Sequence, residues 1–313
     1  MQSHSSHQEG KMPETQQIRA GIIGLGAMGI GMAQTLAAKG FAVAAFDLSE
    51  AALARAKAAG AAPQTSAAGV FDAADVIVLS LPAAHHVEAV IADATAAGHL
   101  APDAAPRIVI DTSTSEADIS RKLAAALDAA GHGFVDAPVS GGPSGAAAGT
   151  LAMMLGGDDA HIARAMPVLE ALGQKIIHVG PSGAGNVAKL VNNMLVASHM
   201  LTTLEAIRLA EASGVSAEDA LRVINSATGR SAISEIHYPN WVLPRSFDSG
   251  FSTGLMRKDV RLALEMATKA GCAMPLANMV ANLWSEERSG LTDGDDFMLM
   301  GDPQADRFKG EDE

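Results

Sequence analysis

Lys189 is the one charge in the stretch GAGNVAKLVNN (residues 183–193), and the next Lys or Arg towards the C-terminus is Arg208. Asn193 follows at i+4, which on a helix puts both side chains on one face. An amine withdrawn from water loses basicity, so it can take a proton from a reacting oxygen, or return one, near neutral pH. The plainer alternative is a lysine whose stem lies along apolar surface while its head reaches water. Gly185, at i−4, reads as a gap that leaves this face open to a small molecule. A second chemical signal lies far upstream. GLGAMG (Gly24, Leu25, Gly26, Ala27, Met28, Gly29) is a G-x-G-x-x-G sequence with an apolar strand before it and an amphipathic helix after it. In that setting Gly24 makes the tight turn, Gly26 lets backbone approach a diphosphate, and Gly29 lets the helix pack on the strand. The diphosphate would sit on the helix N-terminus. Asp47 comes 18 residues after Gly29, where a carboxylate accepts hydrogen bonds from ribose hydroxyls and repels a 2′-phosphate. No Arg or Lys precedes Arg55 in DLSEAALA, so NAD is favoured over NADP. Asp47 could instead cap the next helix, a task Ser49 performs equally well.

Ser140, Gly141 and Gly142 lie between Pro138 and Pro143. Such a rigid turn exposes successive N–H groups, a nest suited to a carboxylate; a plain turn is the alternative. Metal chemistry has little support. The ten histidines include the pair His85–His86, read as a helix start after Pro82, but no H-x-x-x-H or Cys/His set accompanies them. Cys272 is the single cysteine, which excludes an internal disulfide, and it is expected as a packed thiol.

The elements that must position these residues follow from periodicity. Strands are expected from Ile18 (IRAGIIGLG), at Phe41–Asp47, from Asp75 (DVIVLSLP) and from Arg107 (RIVIDTS), with Ala-rich helices between. Alternation of this kind implies a parallel, doubly wound α/β sheet. GFVDAPVSGG, TLAMMLGGD and KIIHVG add further strands, the last ending at Gly180. Beyond PSG (181–183) strand signals stop, and a long helix is expected from near Gly185 to Ala212. The chain therefore divides into a terminal arm (1–17), a dinucleotide-binding domain (18–180), an all-helical domain (181–301) and a polar tail (302–313). His4 and His7 fall in the arm. With 313 residues, 48% of them hydrophobic, a two-domain core is feasible. A net charge of −13 argues against a nucleic-acid partner. No apolar run approaches the roughly 20 residues of a membrane span, and the start lacks a secretory apolar core. A cytoplasmic location is expected.

Together these stretches resemble the β-hydroxyacid dehydrogenase family, 3-hydroxyisobutyrate dehydrogenases above all, from about Ile18 to Trp284. GIIGLGAMGIGMAQTLAAKG is similar to the family's cofactor motif, FVDAPVSGGPSGAAAGTLAMMLGG to its substrate motif, GAGNVAKLVNN to its catalytic motif and GFSTGLMRKDVRLAL to its C-terminal cofactor motif. The resemblance implies a Rossmann-type domain followed by a helical one, with the active site in the cleft between them. It assigns Lys189 as catalytic lysine, and Asn193 with Ser140, Gly141 and Gly142 as substrate contacts. Leu81, Pro82, Thr114 and Lys258 become further cofactor contacts. His86 stands where relatives often carry asparagine, which weakens that cofactor contact. Phe251 and Asp259 are secondary: one a core residue, the other a partner for the lysines.

The expected reaction is NAD-dependent oxidation of a short β-hydroxy acid to its semialdehyde, with 3-hydroxyisobutyrate favoured. Reduction of tartronate semialdehyde (2-hydroxy-3-oxopropionate) and oxidation of threonate or other sugar acids are the rivals. Imine reductases share the architecture but usually lack the lysine. A non-catalytic NAD-binding protein would not need Lys189, Asn193 and SGG together. The resemblance also implies a homodimer or homotetramer.

Overall fold

The structure, a computed structural model, describes residues 18–308, so the arm with His4 and His7 lies outside the described residues, as do residues 309–313. Strands β1 (Arg19–Ile23), β2 (Ala42–Phe46), β3 (Ala62–Pro63), β4 (Val76–Leu79), β5 (Ile108–Asp111) and β6 (Gly133–Asp136) run parallel, in the order 3-2-1-4-5-6. β4 and β5 are VIVL and IVID with every residue buried, the pattern of strands covered on both faces. Helices α1 (Ala27–Ala38) and α2 (Glu50–Ala58) cover one face. Helices α3 (Ala67–Ala73), α4 (Ala84–Ala96) and α5 (Ala117–Ala129) cover the other. Ser49, not Asp47, caps α2, accepting from Ala52 N.

The sheet then changes direction. β7 (Val139–Ser140) leads into α6 (Gly142–Ala148), and β8 (Leu151–Gly156) returns antiparallel to both β6 and β7. α7 (Asp159–Leu172) joins the first face, and β9 (Gly173–Gly180) pairs parallel to β8. This antiparallel turn holds Ser140–Gly142 near the C-terminal ends of the parallel strands. Thr35 of α1 donates to the carbonyls of Ala146 and Ala147 in α6, which ties that turn to the glycine loop's helix.

α8 (Ala184–Ala212) is a 29-residue helix, close to the expected span. α9 (Ala217–Ser226), α10 (Thr253–Lys269), α11 (Pro275–Trp284) and α12 (Glu286–Ser289) follow. The core of this half gathers Met200, Tyr238, Trp284 and Phe297, with Trp284 donating to the carbonyl of Ala197 on α8. Between α9 and α10 the backbone forms a ten-residue π-helix, Ile233–Val242, containing Pro239. Periodicity did not anticipate it; π geometry is rare and the proline denies one N–H to a regular ladder. Residues 302–308, within the expected polar tail, are tied to the helical half. The Arg208 guanidinium donates to the carbonyls of Pro303, Ala305 and Arg307, and Arg245 pairs with Asp302 at 2.9 Å.

Candidate active site

Strand order reverses between β1 and β4, so their C-terminal ends open a crevice, the place where doubly wound sheets take ligands. Gly24, at φ +91°, turns the chain out of β1, and a Cβ there would strike the carbonyl of Ser80. A Cβ on Gly29 would strike the carbonyl of Gly24, so α1 can start this close to the strand only with glycine. A Cβ on Gly26 would meet nothing within 4 Å, and the start of α1 has no side-chain cap. Open space before an uncapped helix start fits a dinucleotide diphosphate. Leu25 donates its N–H to Asp47 Oδ2 at 2.6 Å and Ser49 donates to Oδ1 at 2.8 Å. Asp47 is thus held at the rim of the glycine loop, and its remaining lone pairs can accept from ribose hydroxyls.

Across the crevice, Leu81 donates its N–H to the Ser113 hydroxyl, whose own N–H goes to Asp111 Oδ1. Lys258, reaching over from α10, donates to the carbonyl of Thr114 at 2.8 Å and contacts that of Pro82 at 3.5 Å. Leu81, Pro82, Thr114 and Lys258 therefore come together, and Lys258 joins the two halves of the molecule. His86 sits exposed on the first turn of α4, its ring 3.9 Å from that of His85. Burial pushes the Asp111 carboxyl up to about 7; Ser113's hydrogen bonds oppose that shift and the nearby Asp136 charge adds to it.

Lys189 and Asn193 lie on one face of α8, turned inwards; Lys189 is 7% exposed and Asn193 4%. Burial brings the Lys189 amine down to about 8; the Asp259 carboxylate holds its proton on and Lys258 repels it. Asn193 donates from Nδ2 to Asp259 Oδ2 at 2.5 Å and accepts from Asn192 at its own Oδ1. The other Asp259 oxygen is buried without a hydrogen bond, 3.3 Å from the Lys258 ammonium. One carboxylate thus orients the asparagine and balances two lysines. Asp259, expected only as a secondary partner for the lysines, also holds Asn193, a contact made by the packing of α10 on α8.

The Ser140–Gly142 turn has Gly141 at φ +129° and Gly142 at φ +64°, with Gly142 opening α6. It faces the helical half directly: a Cβ on Gly250 would lie 3.1 Å from Pro143 Cγ. Phe251, half-buried beside that contact, meets Phe297 edge-on at 5.3 Å between ring centres.

Two expectations need correction. Gly185 does not open the helix face to a ligand, because a Cβ there would strike the carbonyl of Met154 and come within 2.8 Å of that of Asp136. It is glycine so that α8 can seat against β6 and β8. Cys272 is exposed rather than packed, since it follows Gly271 in the turn after α10. Among the described residues no group of three or more His, Cys, Asp or Glu is placed to hold a metal, and no helix is long and apolar enough to cross a membrane.

Residues 19–180 match the NAD binding domain of 6-phosphogluconate dehydrogenase, and residues 183–302 match the NAD-binding domain of NADP-dependent 3-hydroxyisobutyrate dehydrogenase. A 3-hydroxyisobutyrate dehydrogenase of Mycobacterium tuberculosis, solved with L-serine, superposes with a TM-score of 0.83 at 36% identity, covering 93% of this chain and 100% of its own. The chain belongs to the 3-hydroxyisobutyrate dehydrogenase family. As a member, it is an NAD(P)-dependent oxidoreductase acting on CH–OH. It is similar to the NAD-dependent L-serine dehydrogenase of Pseudomonas aeruginosa, 39% identical over 84% of this chain and 90% of that protein. It is also similar to the 2-(hydroxymethyl)glutarate dehydrogenase of Eubacterium barkeri, 37% identical over 87% and 90%.

The charges facing Lys189 make its titration testable without any substrate. Competitive acylation across a pH series, read by peptide mass spectrometry, should give a midpoint near 8. Asp259→Asn removes the charge that retains the proton, so the midpoint should fall; Lys258→Gln removes repulsion, so it should rise. A midpoint at the ordinary 10.5 in all three proteins would contradict the buried placement.

Proposed function

We propose that this member oxidises the primary alcohol of a 2-substituted 3-hydroxypropionate to the semialdehyde, using NAD, with 3-hydroxyisobutyrate the favoured substrate. The observation that carries the reading is the buried Lys189 amine, brought near 8 beside an asparagine fixed by Asp259. The glycine loop and Asp47 would hold a dinucleotide in the crevice, where its nicotinamide would supply the acceptor for the hydride of the carbinol carbon. Lys189 in its neutral form takes the hydroxyl proton as charge grows on oxygen, and in the reverse direction its ammonium returns that proton. Asn193, held through its Nδ2, orients the lysine or the substrate oxygen without adding charge. The backbone of Ser140, Gly141 and Gly142 receives the carboxylate. Asp47 favours NAD, with no basic side chain nearby in sequence to receive a 2′-phosphate.

The substrates in the relatives' names share one fragment, HOCH2–CH(R)–COO⁻. R is methyl in 3-hydroxyisobutyrate, ammonium in L-serine and a carboxyethyl group in 2-(hydroxymethyl)glutarate. Hydride leaves the same carbon in each, so the lysine, the turn and the dinucleotide crevice serve all three. L-serine is the second reading, favoured by the Pseudomonas relative.

The test is NADH formation with 3-hydroxyisobutyrate, L-serine, 2-(hydroxymethyl)glutarate, glycerate and threonate, each with NAD and with NADP. The expected result is the highest kcat/KM for 3-hydroxyisobutyrate with NAD, rising with pH through an inflection near 8 as Lys189 becomes neutral. A higher value for L-serine would move the substrate to the second reading. Absence of turnover with every acid would overturn the proposal.

The same reading includes a homodimer or homotetramer. Val191, Leu195 and Leu209 leave 44%, 46% and 70% of their surface exposed on one face of α8, apolar side chains that a second copy would cover. Sedimentation at micromolar concentration should give a mass of at least two chains; a single-chain mass refutes it.

A further inference from the structure

Helix α8 carries Lys189 and Asn193, yet the residue at its N-terminal cap is Gly183, which has no side chain and sits at φ +89°. A helix start normally satisfies its first N–H groups with a Ser, Thr, Asp or Asn at that position. Here the acceptor comes from 47 residues upstream. Asp136, at the end of β6 and fully buried, takes the N–H of Gly183 on Oδ1 at 2.7 Å and that of Asn186 on Oδ2 at 3.1 Å. The socket around it is closed. A Cβ on Gly156 would lie 2.6 Å from both carboxylate oxygens and 2.8 Å from Ala184 N. Asn186 completes the attachment, accepting from Ser115 N and donating to the Ser120 hydroxyl, which fixes the helix in rotation as well as height.

We propose that Asp136 is a positioning residue for Lys189: its carboxylate caps α8 from the dinucleotide domain and sets where the amine stands over the crevice. The inference rests on the reading of Lys189 as the base. Lys189 comes only three residues after Asn186, and each residue of a helix adds a rise of about 1.5 Å and a turn of about 100°, so a slip of one residue at the cap moves the amine by more than that rise. A misplacement of about 1 Å can cost about 10²-fold in rate. Burial pushes the Asp136 carboxyl up, and the α8 N–H groups oppose that by favouring the anion. Cap and charge therefore sustain each other, since ionised acceptors make the stronger bonds. Ser115 belongs to the loop whose Thr114 carbonyl receives Lys258, so the same attachment registers the amine against the dinucleotide loops.

The test uses the full chain with two substitutions. Asp136→Asn turns an amide nitrogen towards one of the two N–H donors. Gly156→Ala keeps the charge and crowds the carboxylate out of place. Neither touches Asp259 or Lys258, the charged groups facing Lys189 from α10. Both variants are expected to lower kcat about 10- to 100-fold while the NAD dissociation constant changes less than threefold. Both should speed hydrogen exchange in residues 183–190 at least tenfold, and the acylation midpoint of Lys189 should move up from near 8 as water reaches the amine. If activity falls only in proportion to the folded fraction, with exchange and midpoint at wild-type values, Asp136 is a structural residue and the proposal is overturned. Should the wild type oxidise no β-hydroxy acid, the functional reading fails by itself. Exchange and acylation then still decide the cap, and unchanged values in both variants reject it.

Discussion

An ammonium group cannot be taken out of water cheaply, and the site is organised around that constraint. The Lys189 head is buried where α8 crosses from one half of the molecule to the other, and desolvation is the largest influence on its proton. A fully isolated buried lysine can drop three to five pK units. Lys189 drops to about 8 because Asp259 attracts the proton while Lys258 repels it. Desolvation wins over attraction, by a margin that leaves the amine able to exchange its proton near neutral pH. The cost to Asp259 is visible in its second oxygen, buried without a hydrogen bond and 3.3 Å from the Lys258 ammonium.

That balance requires two halves of the chain in fixed relation. The parallel sheet supplies a crevice at its switch point, and the antiparallel return through β7, α6 and β8 brings the Ser140–Gly142 turn up to the contact between Gly250 and Pro143. α8 is seated against β6 and β8 through Gly185, and α10 lies on α8 so that Lys258 reaches Thr114. The Leu81 and Thr114 loops, the Ser140–Gly142 turn and the amine are thereby connected by packed elements and by the buried or half-buried side chains of Asp136, Asn186 and Lys258. Sites built on regular elements in this way hold their geometry better than sites on loops.

What could be read from the sequence was local. GLGAMG between an apolar strand and an amphipathic helix carries its meaning within a dozen residues, and the Lys189–Asn193 pair shares a helix face by spacing alone. The parallel sheet followed by helices was legible because β-branched runs give way to long helical periodicity near PSG. Contacts between distant segments were not legible. Asp136 reads as one residue of a buried strand, and nothing in GFVD announces a helix start 47 residues later. Gly185 looked like an opening because its neighbour across the helix face, the carbonyl of Met154, comes from another element. Cys272 was placed by the average habit of its residue type, and the turn after α10 overrides that habit. The family resemblance supplied the expected roles of Leu81, Pro82, Thr114 and Lys258, which no local pattern announces; Lys258 meets the Thr114 and Pro82 carbonyls only through the packing of the helical half on the sheet.

In the proposed reaction the Lys189 amine moves the proton that accompanies hydride transfer. Chemical rescue addresses it most directly. Lys189→Ala should lose about 10²- to 10⁴-fold in alcohol oxidation while retaining NAD binding. Small primary amines added to the buffer should then restore turnover in proportion to the concentration of their neutral form, with the stronger bases more effective at equal free-base concentration. If the variant keeps wild-type turnover, or if amines of every basicity leave it equally inactive although NAD and the acid still bind, another group moves the proton and this account of the site is wrong.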